Sequence, residues 1–160
     1  MESVLKSDLQ IITGGQTGVD RAALDAAIDL GVSTGGWCPK GRVAENGPIP
    51  YKYPLTETSS GDYSKRTKLN VTDSDGTVII YFDELSGGTK LTHTSCISQR
   101  KPCLLINGDE VSEAVAAQQM AGFVVEHEIK VLNIAGPRAS KQLKAYPYTY
   151  GVITRLLLAK

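Results

Sequence analysis

The stretch that most narrows what this chain can fold into is Leu9 to Ala27, LQIITGGQTGVDRAALDAA. An apolar run leads into Gly14-Gly15, and a helical pattern resumes shortly after. Strand, glycine-rich turn and helix N-terminus, in that order, leave backbone N–H groups and the positive end of a helix dipole free to face an anion. Val19, Ala22, Ala23, Ala26, Ala27 and Leu30 share one helical face, and its small side chains suit close packing on a sheet. Gly31 supplies the stop. The spacing of Thr17 and Asp20 predicts a capping box, with Thr17 as the cap and Asp20 reaching back to the Thr17 N–H. A rival use of Asp20 is to orient Arg21 or a ligand hydroxyl.

The rest of the chain repeats the alternation. Val32 to Trp37 reads as a short second strand, and Thr77 to Phe82 (TVIIYF) as a central one. Pro102 to Asn107 and Lys130 to Ala135 read as two more. Helices are expected over Tyr63–Val71, from the second glycine turn to Gln99, over Asp109–Glu126 and in the later part of Pro147–Leu158. Between Cys38 and Tyr63 lies a long loop with four of the seven prolines; loops of that length tend to be functional. Asp73 and Asp75 are read as turn formers. Alternating strands and helices imply right-handed crossovers and one α/β domain over residues 1–160. Its sheet is expected to be doubly wound, five-stranded and mostly parallel, with helices on both faces and strand order 3-2-1-4-5 in chain order.

Composition removes several classes. Lys and Arg balance Asp and Glu at 17 each, so no overall basic field draws in nucleic acid. There is no apolar run long enough for a membrane helix, and the polar N-terminal segment does not read as a secretory leader. Cys38, Cys96 and Cys103 form no CxxC pair, which suits a reducing cytoplasm. His93 and His127 have no metal-ligand spacing, so no metal site is expected.

In doubly wound sheets, ligands bind beyond the carboxyl ends of the strands where strand order reverses. That point is expected between the first strand and TVIIYF. Both of these strands run into a glycine turn and then a helix, which would aim two helix N-termini at one crevice. The candidate set is Gly14, Gly15, Gln16, Thr17 and Gly18 from the first turn, and Gly87, Gly88, Thr89 and Lys90 from the second. Gly136 and Arg138 after the last strand join them, with Arg21, Lys40 and Arg66 as further cations. Guanidinium groups bind phosphate with paired hydrogen bonds, and lysine adds a mobile charge. The alternative for the glycines is tight turning alone, and for each cation a solvated surface. Trp37 and Cys38 fall near the crevice, where Trp37 could stack on a planar ligand and Cys38 could be a soft ligand for a metal carried by the cargo; the bland and commoner fate of each is burial. The G-G-x-x-G pattern differs from the dinucleotide fingerprint, and no acidic residue follows the second strand to hold a ribose.

GGQTGVDRAALDAA, GGWCPKGRVAENGPIP, YSKRTKLNVTDSDGTVIIY, SGGTKLT and LNIAGPRAS, in that order, resemble the blocks of the molybdenum cofactor carrier family. The likeness runs from about Leu9 to Ser140. The family is similar to the lysine-decarboxylase-like phosphoribohydrolases and to the DNA-processing protein A fold. The resemblance implies a Rossmann-like fold and a pocket for a small phosphorylated ligand. It also implies molybdenum cofactor as cargo, molybdoenzymes as recipients and self-association. The phosphoribohydrolases carry P-G-G-x-G-T-x-x-E; here Lys90 replaces the third glycine and Thr94 the glutamate. The expected role is therefore holding rather than turnover. The rivals are a nucleotide-processing enzyme, using an acid such as Asp20 or Glu84, and a sensor of a nucleotide-derived signal.

Overall fold

A computed structural model describes residues 8–159 of the chain. The N-terminal segment expected not to be a leader falls outside them, apart from Asp8. Five parallel strands form the central sheet: β1 (Gln10–Ile12), β2 (Ser33–Gly35), β7 (Gly76–Tyr81), β8 (Cys103–Asn107) and β9 (Val131–Ala135). Five helices with described bounds accompany them among the described residues: α1 (Val19–Asp29), α2 (Tyr63–Asp73), α3 (Gly87–Gln99), α4 (Glu113–Glu126) and α5 (Ala145–Leu158). α1 packs on α5 and α5 on α4, while α2 packs on α3. The α/β class, the five strands and the helices on both faces agree with the sequence expectation. On α1 the alanine face is the buried one, as its periodicity requires.

The strand order corrects the expected one. Across the sheet it runs β2-β1-β9-β7-β8, so the last strand in the chain stands between the first and TVIIYF, hydrogen-bonded to both. An apolar run marks a strand as buried on both faces but does not choose its neighbours. β9 suits the centre because Leu132, Asn133 and Ile134 are all buried. Its polar member is satisfied within the sheet, where Asn133 Nδ2 donates to Thr77 Oγ1 of β7 at 3.2 Å. Order still reverses here: β1 crosses through α1 to one side, and β7 through α3 to the other.

Several boundaries move for local reasons. The second expected strand breaks at Gly36, whose φ is 126° and whose Cβ, if present, would lie 2.0 Å from the Thr13 carbonyl oxygen. Its far half becomes β3 (Trp37–Cys38), paired with β6 (Thr56–Glu57). α4 begins at Glu113, not Asp109, because Ser112 Oγ accepts the Val115 N–H at 3.2 Å. Asp73 ends α2 instead of forming a turn, and accepts the Trp37 indole N–H at 2.6 Å. Asp75 lies in the bend before β7 and accepts the N–H groups of Lys130 and Val131, at the start of β9, at 3.0 and 2.9 Å.

The long loop is built around a small core of its own. Cys38, Ala44, Ile49, Tyr53 and Leu55 pack against Leu24 of α1. A short hairpin, β4 (Val43–Ala44) with β5 (Gly47–Pro48), lies within it. Arg42 is buried there and donates to the carbonyl oxygens of Ile49, Pro50, Tyr53 and Leu55. One guanidinium thus satisfies the Ile49 and Leu55 carbonyls and adds a second bond to those of Pro50 and Tyr53, which also accept the N–H groups of Tyr53 and Leu55. Among the described residues no helix is long and apolar enough to cross a membrane.

Candidate functional site

A cleft of about 170 Å³ opens beyond the carboxyl ends of the central strands. Its floor is Asn133 to Gly136, the end of β9. One wall is α2, through Tyr63, Arg66, Thr67 and Asn70. The other is the first turn of α3, through Ser86, Gly88, Thr89 and Thr92. Gly14, Gln16 and Asp20 close one end, and Arg138 and Lys141 border the rim.

Of the fourteen candidate residues, seven line this cleft: Gly14, Gln16, Arg66, Gly88, Thr89, Gly136 and Arg138. The others sit elsewhere. Gly15 packs on Ile49 and Leu55 of the loop core. Thr17 Oγ1 donates to Glu45 and accepts the Ala139 N–H at 3.1 Å. Gly18 holds φ 82° against the Pro137 carbonyl. Arg21 donates to the Gly15 carbonyl at 3.1 Å and to Asn46 at 3.2 Å, and lies over the Tyr53 ring. Lys40 and Lys90 are exposed outside the cleft lining, as is Gly87.

The first glycine turn is internally committed. Gly15 N–H donates to Thr13 Oγ1 at 3.1 Å, Gln16 N–H to Asp20 Oδ2 at 3.2 Å, and Thr17 N–H to Gln16 Oε1 at 3.0 Å. Val19 N–H, the first of α1, donates to the Pro137 carbonyl at 3.2 Å. The expected capping box is therefore absent: Gly18 is the N-cap, and Asp20 accepts from Gln16, not Thr17. Only glycine tolerates the φ that brings the turn onto the β9 loop. At α3, by contrast, Ser86 is the N-cap and makes no side-chain cap bond. A Cβ on Gly88 would meet nothing within 4 Å. That helix start is open to the cleft.

Charge is concentrated where the cleft needs it. Arg66 lies flat on Gly14, so close that a Cβ there would be 1.7 Å from Nη1. The same guanidinium reaches Asp20 Oδ2 at 3.4 Å and stands over the Tyr63 ring at 5.5 Å. Its Nε is buried with no hydrogen-bond partner among the described residues. Arg138 is held by Glu45 at 3.4 Å. Glu45 also accepts the Ser140 hydroxyl and N–H, at 2.5 and 3.1 Å. The Ser140 hydroxyl, then that of Thr17, holds the Glu45 carboxyl below its ordinary pKa.

Asp20 is the residue that sequence reading assigned to a cap. It is the one acidic side chain in the cleft lining among the described residues. Burial pushes its pKa up to about 6; Arg66, the Gln16 N–H, Arg21 and the Gly14 N–H pull the other way without cancelling the effect. Lys141 was also missed, because it lies beyond the last glycine turn in a stretch without periodicity. Asn133 offered a signal in retrospect: a polar residue inside an otherwise apolar central strand.

Residues 11–157 match the profile of the circularly permutated YpsA SLOG family. The chain belongs to that family. A permuted order is consistent with finding the last strand in mid-sheet, since permutation changes chain order while keeping spatial order. A solved structure from Syntrophus aciditrophicus SB, named as a candidate molybdenum carrier protein, is 49% identical to this chain. The likeness covers 94% of this chain and 96% of that one, with a TM-score of 0.92. It bears out the Rossmann-like fold and the resemblance to the molybdenum cofactor carriers. No curated protein matches.

Proposed function

We propose that this protein is a carrier that holds molybdenum cofactor, or a related phosphate-bearing ligand, in the cleft between α2 and α3. The observation that carries the reading is the convergence of three cations with an open helix start. Arg66, Arg138 and Lys141 border the same cleft as Ser86, Gly88 and Thr89, in a chain whose net charge is zero. A helix N-terminus and guanidinium groups together are a phosphate site. Gly88 leaves room for a phosphate to come close to the backbone. The named molybdenum carrier at 49% identity supports a carrier role at the level of the family. Holding the cargo needs anion contacts and shielding, and no general base.

Turnover is the weaker reading. Thr94 stands where the hydrolytic relatives carry an acid, and its hydroxyl donates back to the Lys90 carbonyl within α3 at 3.1 Å. Recipient molybdoenzymes, self-association and a cytoplasmic location belong to the proposal on the same footing. The test is to purify the full chain and measure bound molybdenum and any phosphorylated pterin by mass spectrometry, then titrate with molybdenum cofactor. We expect binding that weakens at least tenfold in the Arg66→Ala, Lys141→Ala double variant and survives Arg21→Ala. Cofactor affinity equal in all three proteins would overturn the assignment of this cleft.

A further inference from the structure

The two ends of the cleft differ in chemistry. At one, the α3 start and Lys141 offer positive charge alone. At the other, a carboxylate and a guanidinium stand side by side, and both are under-bonded. The Asp20 side chain is only 8% exposed. Its Oδ2 takes the Gln16 N–H and, at 3.4 Å, Arg66 Nη1, and the Gly14 N–H also faces the carboxylate. An ionised carboxylate has about four acceptor positions, and a charge-assisted contact ordinarily closes to about 2.7–2.9 Å. Arg66 in turn leaves its buried Nε without a partner among the described residues. Buried polar groups are normally paired, so a carboxylate with acceptor room to spare beside a guanidinium with an unpartnered nitrogen is shaped for a ligand that brings both donors and an acceptor.

We propose that the Arg66–Asp20 pair reads a heterocycle edge that presents a carbonyl, a ring N–H and an exocyclic amine in a row. This rests on the reading of the cleft as a phosphate-ligand site. The ring carbonyl accepts from the Arg66 guanidinium. The ring N–H and the amine donate to the two carboxylate oxygens of Asp20. With the ligand's phosphate anchored at the start of α3, the order of acceptor and donors along the edge is fixed. Pterins and guanine carry this edge. Hypoxanthine lacks the amine. Adenine presents an amine beside a bare ring nitrogen, and cannot give a carboxylate two adjacent donors. Asp20 is thereby the specificity-determining residue, and its retention as a buried carboxylate has a use.

The test is calorimetric titration of the full chain at pH 7.5 with 6-hydroxymethylpterin phosphate, GMP, IMP, AMP and ribose 5-phosphate. We expect at least one of the first two to bind tenfold or more above AMP, with IMP between, as for sites built to hydrogen-bond a substrate edge. Whichever binds tighter identifies the source of the edge. In Asp20→Asn the gap should shrink below threefold, while ribose 5-phosphate binds no more weakly than before. Lys141→Ala should weaken every ligand by a similar factor. Asp20→Asn keeps the side-chain volume, and Asp20→Ala with a melting curve provides a second reading. Equal affinity for GMP, pterin phosphate and AMP overturns the proposal. So does an Asp20→Asn loss shared equally by all ligands. If ribose 5-phosphate still binds in those cases, the phosphate cleft stands alone. If none of the five binds, both readings fall.

Discussion

Two glycine turns look alike in sequence and behave differently in the fold. Gly14 to Gly18 follows β1; Gly87-Gly88 follows β7. The first is built inward. Its N–H groups are taken by Thr13, Asp20, Gln16 and Pro137, and its glycines are packed against Arg66, Leu55 and the β9 loop. The second is built outward, with an unbonded cap side chain and open space at Gly88. The same residue type thus makes close contact in one place and leaves open space in the other. A glycine motif near a strand end identifies a close approach, but not whether protein or ligand makes it.

Substitutions can break this contrast. The largest effect is expected at Gly18. Its φ of 82° and a would-be Cβ 2.4 Å from the Pro137 carbonyl leave an alanine no room. Gly18→Ala should lose on the order of 3 kcal/mol in a urea titration. A loss under 0.5 kcal/mol would show that the first turn is not packed as described.

Next is Asp20. Its folded pKa of about 6 stands above the ordinary 3.8, so the native state binds the proton more readily than the unfolded chain. By linkage, this group makes stability fall as pH rises from about 4 to about 6 and leaves it flat above. The shift of about two units corresponds to roughly 3 kcal/mol. Asp20→Asn should therefore raise stability above pH 6 by about 1–3 kcal/mol and lose that advantage near pH 4. Melting curves across this range check the sign; a variant less stable at pH 7.5 refutes it.

Gly14→Ala sharpens the comparison between packing and binding. A new Cβ collides with the mobile end of Arg66 and not with backbone. The fold should lose less than about 1 kcal/mol, while displacement of Arg66 lowers phosphate-ligand affinity about tenfold. Smallest in stability is Gly88→Ala, within about 0.5 kcal/mol of the parent, because the side chain enters open space. Affinity should still fall severalfold if, as proposed, that space is where the phosphate of the ligand comes close to the backbone. If Gly88→Ala destabilises as much as Gly18→Ala, the two turns are not different in kind.

Arg42 shows how far charge counting reaches. Read along the chain it is one more cation beside a glycine. In the fold it is buried among four carbonyls and organises the loop. Arg66 has the same side chain but a different fate, because α2 carries it across to Gly14 and Asp20, 46 residues away from the latter. Neither outcome is encoded by a neighbour in sequence.

The sequence by itself determined the alternation of strands and helices, the buried alanine face of α1, the two glycine turns and the family. These follow from periods of two and 3.6 and from turn chemistry, all set within a few residues. Only the tertiary structure decided that β9 stands in mid-sheet, that the first glycine turn is closed and the second open, and that Asp20 faces a cleft instead of capping its helix. Each of these depends on contacts between distant residues. Ala139, which bonds Thr17 from 122 residues away, is what seals the first turn against the β9 loop. An apolar pattern says that a group is buried, and the partner it is buried against is chosen by the packing of the whole chain.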